Sequence, residues 1–501
     1  MDQNKLLFPA RGFPAQGRSK DEVLAAMQAA RQDDVNWQEG KAFSLVFAAG
    51  QEVSELLKEA YTLFFSENGL NPMAFPSLRK FEAEVVAMCI HLLNGGEQAA
   101  GNMTTGGTES LLMTVLTARE WARANHPEIH TPEMVLPATA HPAFDKAAHY
   151  FGVKAVRVPV RADFRADVDA CRAAITPQTI LMVGSAPSYP QGVIDPIAEL
   201  AQIAQERKLL FHVDACVGGM MLPFVRRLGY PVPEFDFRVP GVTSISADLH
   251  KYGYSAKGSS VILYRTHELR RHQFFVTTDW AGGVYASPTM AGTRPGGPIA
   301  ASWAILNYLG EEGYLKITDT VMKTALKLRQ GVSAIRGLKV LSTPEMSVFA
   351  IGSDDLNVYE LADEMTLRGW HMDRQQFPPS LHMTVNYGHA ASADAFLQDL
   401  AAAVVEVRKP NLRKFGNTLF LNLAKTLVKL LPKETVSKLT ASASSALGDT
   451  ASGGAQRSAA MYGMIGTLPN RGDLQQVVLD LIDGMTRVTQ PPADKPEGKN
   501  R

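Results

Sequence analysis

Residues 246–260, SADLHKYGYSAKGSS, set Lys251 between a histidine and a tyrosine and place a second lysine, Lys257, shortly after it. The apolar run VILY follows, so Lys251 stands at the mouth of a buried strand. An amine surrounded by apolar and cationic groups has a depressed pKa and forms Schiff bases with carbonyl compounds. A solvated surface lysine is the plainer alternative, but it leaves the buried flanks unexplained. Upstream, HVDAC ends another apolar run on Asp214, where an unpaired carboxylate would cost several kcal/mol. Asp214 therefore needs a cationic partner, either a protonated pyridine nitrogen or an arginine. In GNMTTGGTES, Gly107 and Thr108 stand at a helix start, where free amides and the helix dipole favour a phosphate. The same residues also make an ordinary turn with an N-cap. His141, in ATAHPAFDKAAHYF, follows an apolar run and opens a helix, where it either stacks on a flat ring or only caps. His126 and His130 have no HExxH pattern or acidic partner and read as surface residues.

In chain order these pieces are a phosphate cradle, a stacking histidine, an aspartate for a pyridinium and a Schiff-base lysine. Those are the parts needed to hold pyridoxal 5'-phosphate as an electron sink. The combination is far more specific than any one of its members.

Such residues need a scaffold that brings them to one edge. From about residue 80 to 270, helical patterns such as LRKFEAEVVAMCIHLLN alternate with the apolar runs EMVLPA, AVRVPV, TILMVGSAP, KLLFHVDA, VTSISAD and SSVILYR. This alternation predicts an α/β fold with a mainly parallel sheet covered on both faces, whose ligands lie at the carboxyl ends of the strands. We expect an arm and helical segment over 1–80, with a capped helix at SKDEVLAAMQAARQDD, and a large cofactor domain over 81–305. A small C-terminal α+β domain is expected over 306–408 with 455–490. Between them, 409–454 reads as a basic amphipathic insertion and linker, which either lies on a membrane surface or packs as an ordinary helix.

Composition narrows the class of partner. The 50 basic residues balance the 50 acidic ones, so no global field draws the chain to nucleic acid. Cys89, Cys171 and Cys216 lie far apart and read as buried thiols of a reducing compartment. With no signal-peptide pattern and no long apolar run, a cytoplasmic protein is expected.

HVDAC and SISADLHKYGYSAKGSS together resemble the fold-type-I pyridoxal-phosphate carboxy-lyases, and within them the sphingosine-1-phosphate lyases. The likeness continues through FPSLRKFEAEVV, TTGGTES, HPAFDKAAHYF, SAPSYPQGVIDPI, AGTRPGGPIAASWA and AAMYGM, over residues 35–408 and 455–490. The resemblance implies that Lys251 carries the Schiff base, Asp214 faces the pyridinium and His141 stacks on the ring. It also implies that Gly107, Thr108, Ser246 and His250 hold the cofactor phosphate. Gly296 and Gly297 would come from the neighbouring subunit of a homodimer with shared sites, while Tyr189 and Lys257 face the substrate. The implied reaction is retro-aldol cleavage of a phosphorylated long-chain base to a fatty aldehyde and phosphoethanolamine, with Lys251 and Lys257 both open as the base. Lys257 also suits a substrate phosphate as a point charge.

Two positions depart from the family pattern. Where the lyases read SGAVY and NPLHP, this chain has FSLVF and NGLNP, so Phe47 and Asn71 replace a tyrosine and a histidine near the substrate. Two other readings follow the same cofactor logic: an amino-acid decarboxylase of the same fold, or a cofactor-binding protein without catalysis. The intact pair of Lys251 and Asp214 speaks against the second.

Overall fold

The computed structural model describes residues 13–409, apart from 15 and 72, together with 475, 478, 479, 482 and 483. The basic stretch and linker expected over 409–454, beyond the first residue, lie outside the described residues, as does AAMYGM. The chain divides into two compact units, one of them Trp37–Asp354 with His382–Leu397.

That larger unit is built on a seven-stranded sheet. Its strands are β1 (Ala100–Thr104), β2 (Glu133–Pro137), β3 (Lys154–Val158), β4 (Thr179–Ser185), β5 (Leu210–Asp214), β6 (Ser244–Ala247) and β7 (Ser260–Tyr264), in the spatial order β1-β7-β6-β5-β4-β2-β3. Strands β2 to β6 pair in parallel, whereas β7 runs antiparallel to both β6 and β1. Two reversals leave β1 pointing the same way as β6. The carboxyl ends of β1, β2, β4, β5 and β6 therefore share one edge, where an open α/β sheet binds its ligands.

The central strands are apolar along their length because both faces are covered. Within β7, Val261 and Leu263 join one core with Phe211, Val213 and Ile245, while Ile262 and Tyr264 join a second with Leu111, Val115 and Phe144. The principal helices of this unit are α1 (Gln51–Leu63), α2 (Pro76–Leu92), α3 (Gly107–Asn125), α4 (Ala143–Phe151), α5 (Ile197–Glu206) and α6 (Gly296–Ala334), the last interrupted by non-helical backbone at Gly310. Pro76 begins α2, where its missing amide hydrogen costs nothing, and Gly152 ends α4 in the left-handed conformation. The six apolar runs of the sequence are β2 to β7. β1, which overlaps GNMTTGGTES, lies in the stretch the sequence marks as a helix start, and it carries no apolar run of its own.

In the second unit, Ser19 and Glu22 form a capping box at the start of the helix Lys20–Ala30, as the sequence expects. The same unit contains the helix Val358–Leu367 and the strand Asp373–Gln376. Arg374 pairs with Asp363 at 2.7 Å, and the buried Trp370 indole donates to Asp399 at 2.8 Å. No helix among the described residues is long and apolar enough to cross a membrane.

Candidate active site

Strand β6 ends at Ala247, and the turn after it carries Asp248, His250 and Lys251. Asp248 is 1% exposed, and its Oδ2 lies 2.8 Å from Lys251 Nζ and 3.6 Å from His250 Nε2. Burial by itself would lower the pKa of Lys251, but Asp248, with Cys216 and Asp214 adding to it, raises it above the ordinary lysine range. This corrects the sequence expectation of a depressed lysine: the apolar flanks are there, but the carboxylate of Asp248, three residues upstream, outweighs them. Asp248 is itself held below the usual carboxylate range, since Lys251 and His250 outweigh its burial. His250 is lowered to about 4, first by burial and then by the two nearby lysines, so it is neutral at physiological pH.

Asp214 closes β5, and the parallel register sets Ser185, Asp214 and Ser246 side by side. Its Oδ1 accepts from the Cys216 amide at 3.1 Å and from the Ser246 hydroxyl at 3.5 Å, so its bonding partners are not an arginine. Ser246, expected at the phosphate, is fully buried and lies 3.2 Å from both His212 Nε2 and Cys216 Sγ. His212 Nδ1 in turn lies 2.9 Å from Ser244 Oγ, and burial lowers its pKa to about 4. A neutral imidazole thus braces the serine beside Asp214. HVDAC carried this signal too, because His212 and Asp214 alternate onto the same face of one strand.

The turn from β1 into α3 approaches the same cluster. Ser110 N–H donates back to Gly106 O, which leaves the first amides of α3, at Gly107 and Thr108, without intrahelical acceptors. A Cβ added at Gly107 would come within 2.8 Å of Asp248 Oδ2 and 3.0 Å of Cys216 Sγ, so only glycine lets the helix start come this close. Glu109 fixes the turn by accepting from Thr105 N at 2.6 Å and Met290 N at 2.9 Å.

His141 follows β2 with an exposed ring, and its Nδ1 accepts from Ala143 N at 3.1 Å. The protein around the ring lowers its pKa, with Asp214 opposing and Lys251 adding to the shift. Its turn is gathered by Arg157 of β3, which donates to the carbonyls of Pro137, Ala138 and Ala140 at 3.1 Å each and pairs with Asp145 of α4. Arg157 went unread in the sequence because nothing local to it signals that three carbonyls converge there.

At the outer side, Lys257 is exposed, and its Nζ lies 5.3 Å from the centroid of the Phe47 ring. Phe47 meets Tyr252 edge to face at 5.0 Å. Lys257 donates to His250 O at 3.3 Å, and the surrounding protein followed by the charge of Lys251 lowers its pKa to about 8. Tyr189 stacks on the buried His382 at 3.8 Å. Asn71 is exposed, with its side chain accepting from the amides of Met73 and Ala74 as a turn cap, and no hydrogen bond among the described residues joins it to the lysine cluster. Gly296 and Gly297 are buried against their own chain: a Cβ at Gly297 would meet the Tyr61 ring at 2.7 Å. The loop before them is anchored by Arg294, whose guanidinium grips Glu82 through two bonds of 2.6 and 2.8 Å. Among the described residues no cluster suited to a metal ion occurs.

The family model for the pyridoxal-dependent decarboxylase conserved domain matches residues 11–351. The chain is 48% identical over 400 residues to sphingosine-1-phosphate lyase 1 of Rattus norvegicus, an alignment covering 79% of this chain and 70% of that protein. The solved structure of a Burkholderia pseudomallei sphingosine-1-phosphate lyase superposes with a TM-score of 0.77 at 43% identity, over 82% of this chain and 96% of the other. A glutamate decarboxylase from Lactobacillus brevis superposes with a TM-score of 0.71 over 81% of this chain and 96% of its own, but at 20% identity that likeness shows a common fold alone. The fold, the edge on which the lysine, aspartate and histidine meet, and the extent of these identities agree: the chain belongs to the sphingosine-1-phosphate lyase family of pyridoxal-phosphate-dependent lyases.

Proposed function

We propose that the protein cleaves the bond between the amine-bearing and hydroxyl-bearing carbons of a phosphorylated long-chain amino alcohol, releasing a fatty aldehyde and phosphoethanolamine. The observation that carries this reading is the meeting of Lys251, Asp214 and His141 on one sheet edge, with a second cation, Lys257, at the outer side of the same cluster. The residues fit pyridoxal phosphate: the close approach at Gly107 presents unpaired helix amides, and among the described residues no arginine pairs with Asp214. When bound, the cofactor supplies an electron sink for the carbanion left by cleavage.

The chain's own residues would divide the remaining work. Lys251 Nζ would hold the cofactor, and the carboxylate of Asp214, braced through Ser246 and His212, would keep a proton on its ring nitrogen. His141 would stack its exposed ring on the cofactor, with Nδ1 fixed by the Ala143 amide. The amides of Gly107 and Thr108, with His250, would receive the cofactor phosphate at the positive end of α3. Lys257 would receive the substrate phosphate, and Tyr189, held by His382, would border the substrate. Phe47 gives the ammonium of Lys257 an aromatic face and no hydroxyl, so the charge of Lys257 stays free for an anion.

In this reading the protein works as a homodimer in which Gly296 and Gly297 serve the neighbouring site. An exposed apolar hairpin supports it: Phe275, Trp280 and Val284 are 61%, 59% and 71% exposed, a surface that a partner normally covers. The function is tested by comparing a phosphorylated long-chain base with its dephosphorylated form in the wild type and in Lys257→Met. The wild type should prefer the phosphorylated form, and the variant should lose that preference through KM, by roughly tenfold or more for a charge-assisted contact. Equal turnover of both substrates by the wild type would refute the assignment.

A further inference from the structure

Asp248 has no part in the reaction described so far, yet it is the most tightly placed charge in the cluster. Its backbone is fixed at both sides, with its amide donating to Cys216 O at 3.2 Å and its carbonyl accepting from Lys251 N at 3.4 Å. Its carboxylate is fully buried, and Oδ2 faces Lys251 Nζ at 2.8 Å. A buried carboxylate is costly unless a cation neutralises it. His250, 3.6 Å away, does not supply that cation because it is neutral at physiological pH. Lys257 is not within ion-pair reach of Asp248, and its side chain donates to His250 O instead. Lys251 is therefore the cation that Asp248 is built to hold.

We propose that Asp248 is a positioning residue for Lys251, whose carboxylate captures the amine as an ammonium whenever that nitrogen is not bonded to carbon. Two consequences follow. An ammonium has no lone pair, so a Lys251 held this way does not accept the proton of the substrate hydroxyl, and that task falls to another group. The same contact governs cofactor loading, because Nζ must shed its proton before its lone pair can attack a carbonyl carbon. The other charged and titratable groups facing this amine are Asp214 and Cys216 from the end of β5, His141 from the end of β2, and His250 and Lys257 from its own turn. Asp248 is the one of these with an oxygen in direct contact with Nζ.

The inference rests on Lys251 being the cofactor lysine, but its test needs no substrate, so it fails or stands separately from the proposed reaction. The full chain is stripped of pyridoxal phosphate, and the rate of reloading is followed against pH by absorbance. A carboxylate this close shifts a lysine pKa by about 1–3 units, so Asp248→Asn should move the loading profile to lower pH and load roughly tenfold faster at neutral pH. Superimposable wild-type and variant profiles would overturn the proposal. A second measurement uses the wild type alone and does not depend on the variant folding. Competitive acetylation of the stripped chain across pH should show Lys257 titrating near 8, as its surroundings dictate, and Lys251 titrating above the ordinary lysine range. A Lys251 that titrates at or below Lys257 would overturn the proposal equally.

Discussion

Two lysines a turn apart are given different chemistry by their neighbours. Lys251 faces a buried carboxylate and is pushed up, whereas Lys257 rests over an aromatic face beside another cation and is brought down to about 8. A lysine whose pKa is depressed keeps its charge below that pKa and loses it as pH rises through it. If Lys257 is the counter-charge of the substrate phosphate, kcat/KM should therefore fall as pH rises through about 8 in the wild type, while Lys257→Met should lack that limb. A wild-type profile flat across that region would remove Lys257 from the phosphate. Replacement of Lys251 by alanine should abolish turnover and the visible absorbance of the bound cofactor together. Turnover that survives in Lys251→Ala would show that the site lies elsewhere.

At the scale of elements, Asp214, His141 and Lys251 sit at strand ends or a few positions beyond them, and the turn carrying His141 is held from a different element. Arg157 of β3 ties together the turn that presents His141 through three carbonyls and Asp145. Its removal should loosen that turn and weaken cofactor binding by roughly tenfold, since bonds from a charged donor are worth about 1.5–3 kcal/mol. Fluorescence titration of Arg157→Ala with pyridoxal phosphate would read this, and an unchanged affinity would mean that the turn holds its shape alone. These supports also mark how far the sequence could be read. The strands from EMVLPA to SSVILYR were legible because each is an apolar run bounded by turn residues. Lys251, Asp214 and His141 were legible because each breaks such a run with a polar group at its end. Asp248 stands three residues before Lys251 in the sequence, but its effect depends on which side chains share a buried space. Arg157 and the grip of Arg294 on Glu82 act between segments far apart in the chain, and no local pattern carries that information.

For the molecule as a whole, identities of 43% to a solved lyase structure and 48% to a curated lyase place the chain in one family, and Phe47 and Asn71 are the two positions at which the sequence departs from the motifs expected of it. Asn71 has become a turn cap and Phe47 a platform for Lys257, so neither loss disturbs the lysine, aspartate and histidine on the sheet edge. Carbon–carbon cleavage is therefore expected to survive both substitutions. The direct test is to incubate the purified, cofactor-loaded protein with a phosphorylated long-chain base and to identify the products by mass spectrometry. A long-chain aldehyde and phosphoethanolamine in equal amounts is the predicted result. Carbon dioxide released from an amino acid, with no aldehyde formed from the phosphorylated base, would contradict it.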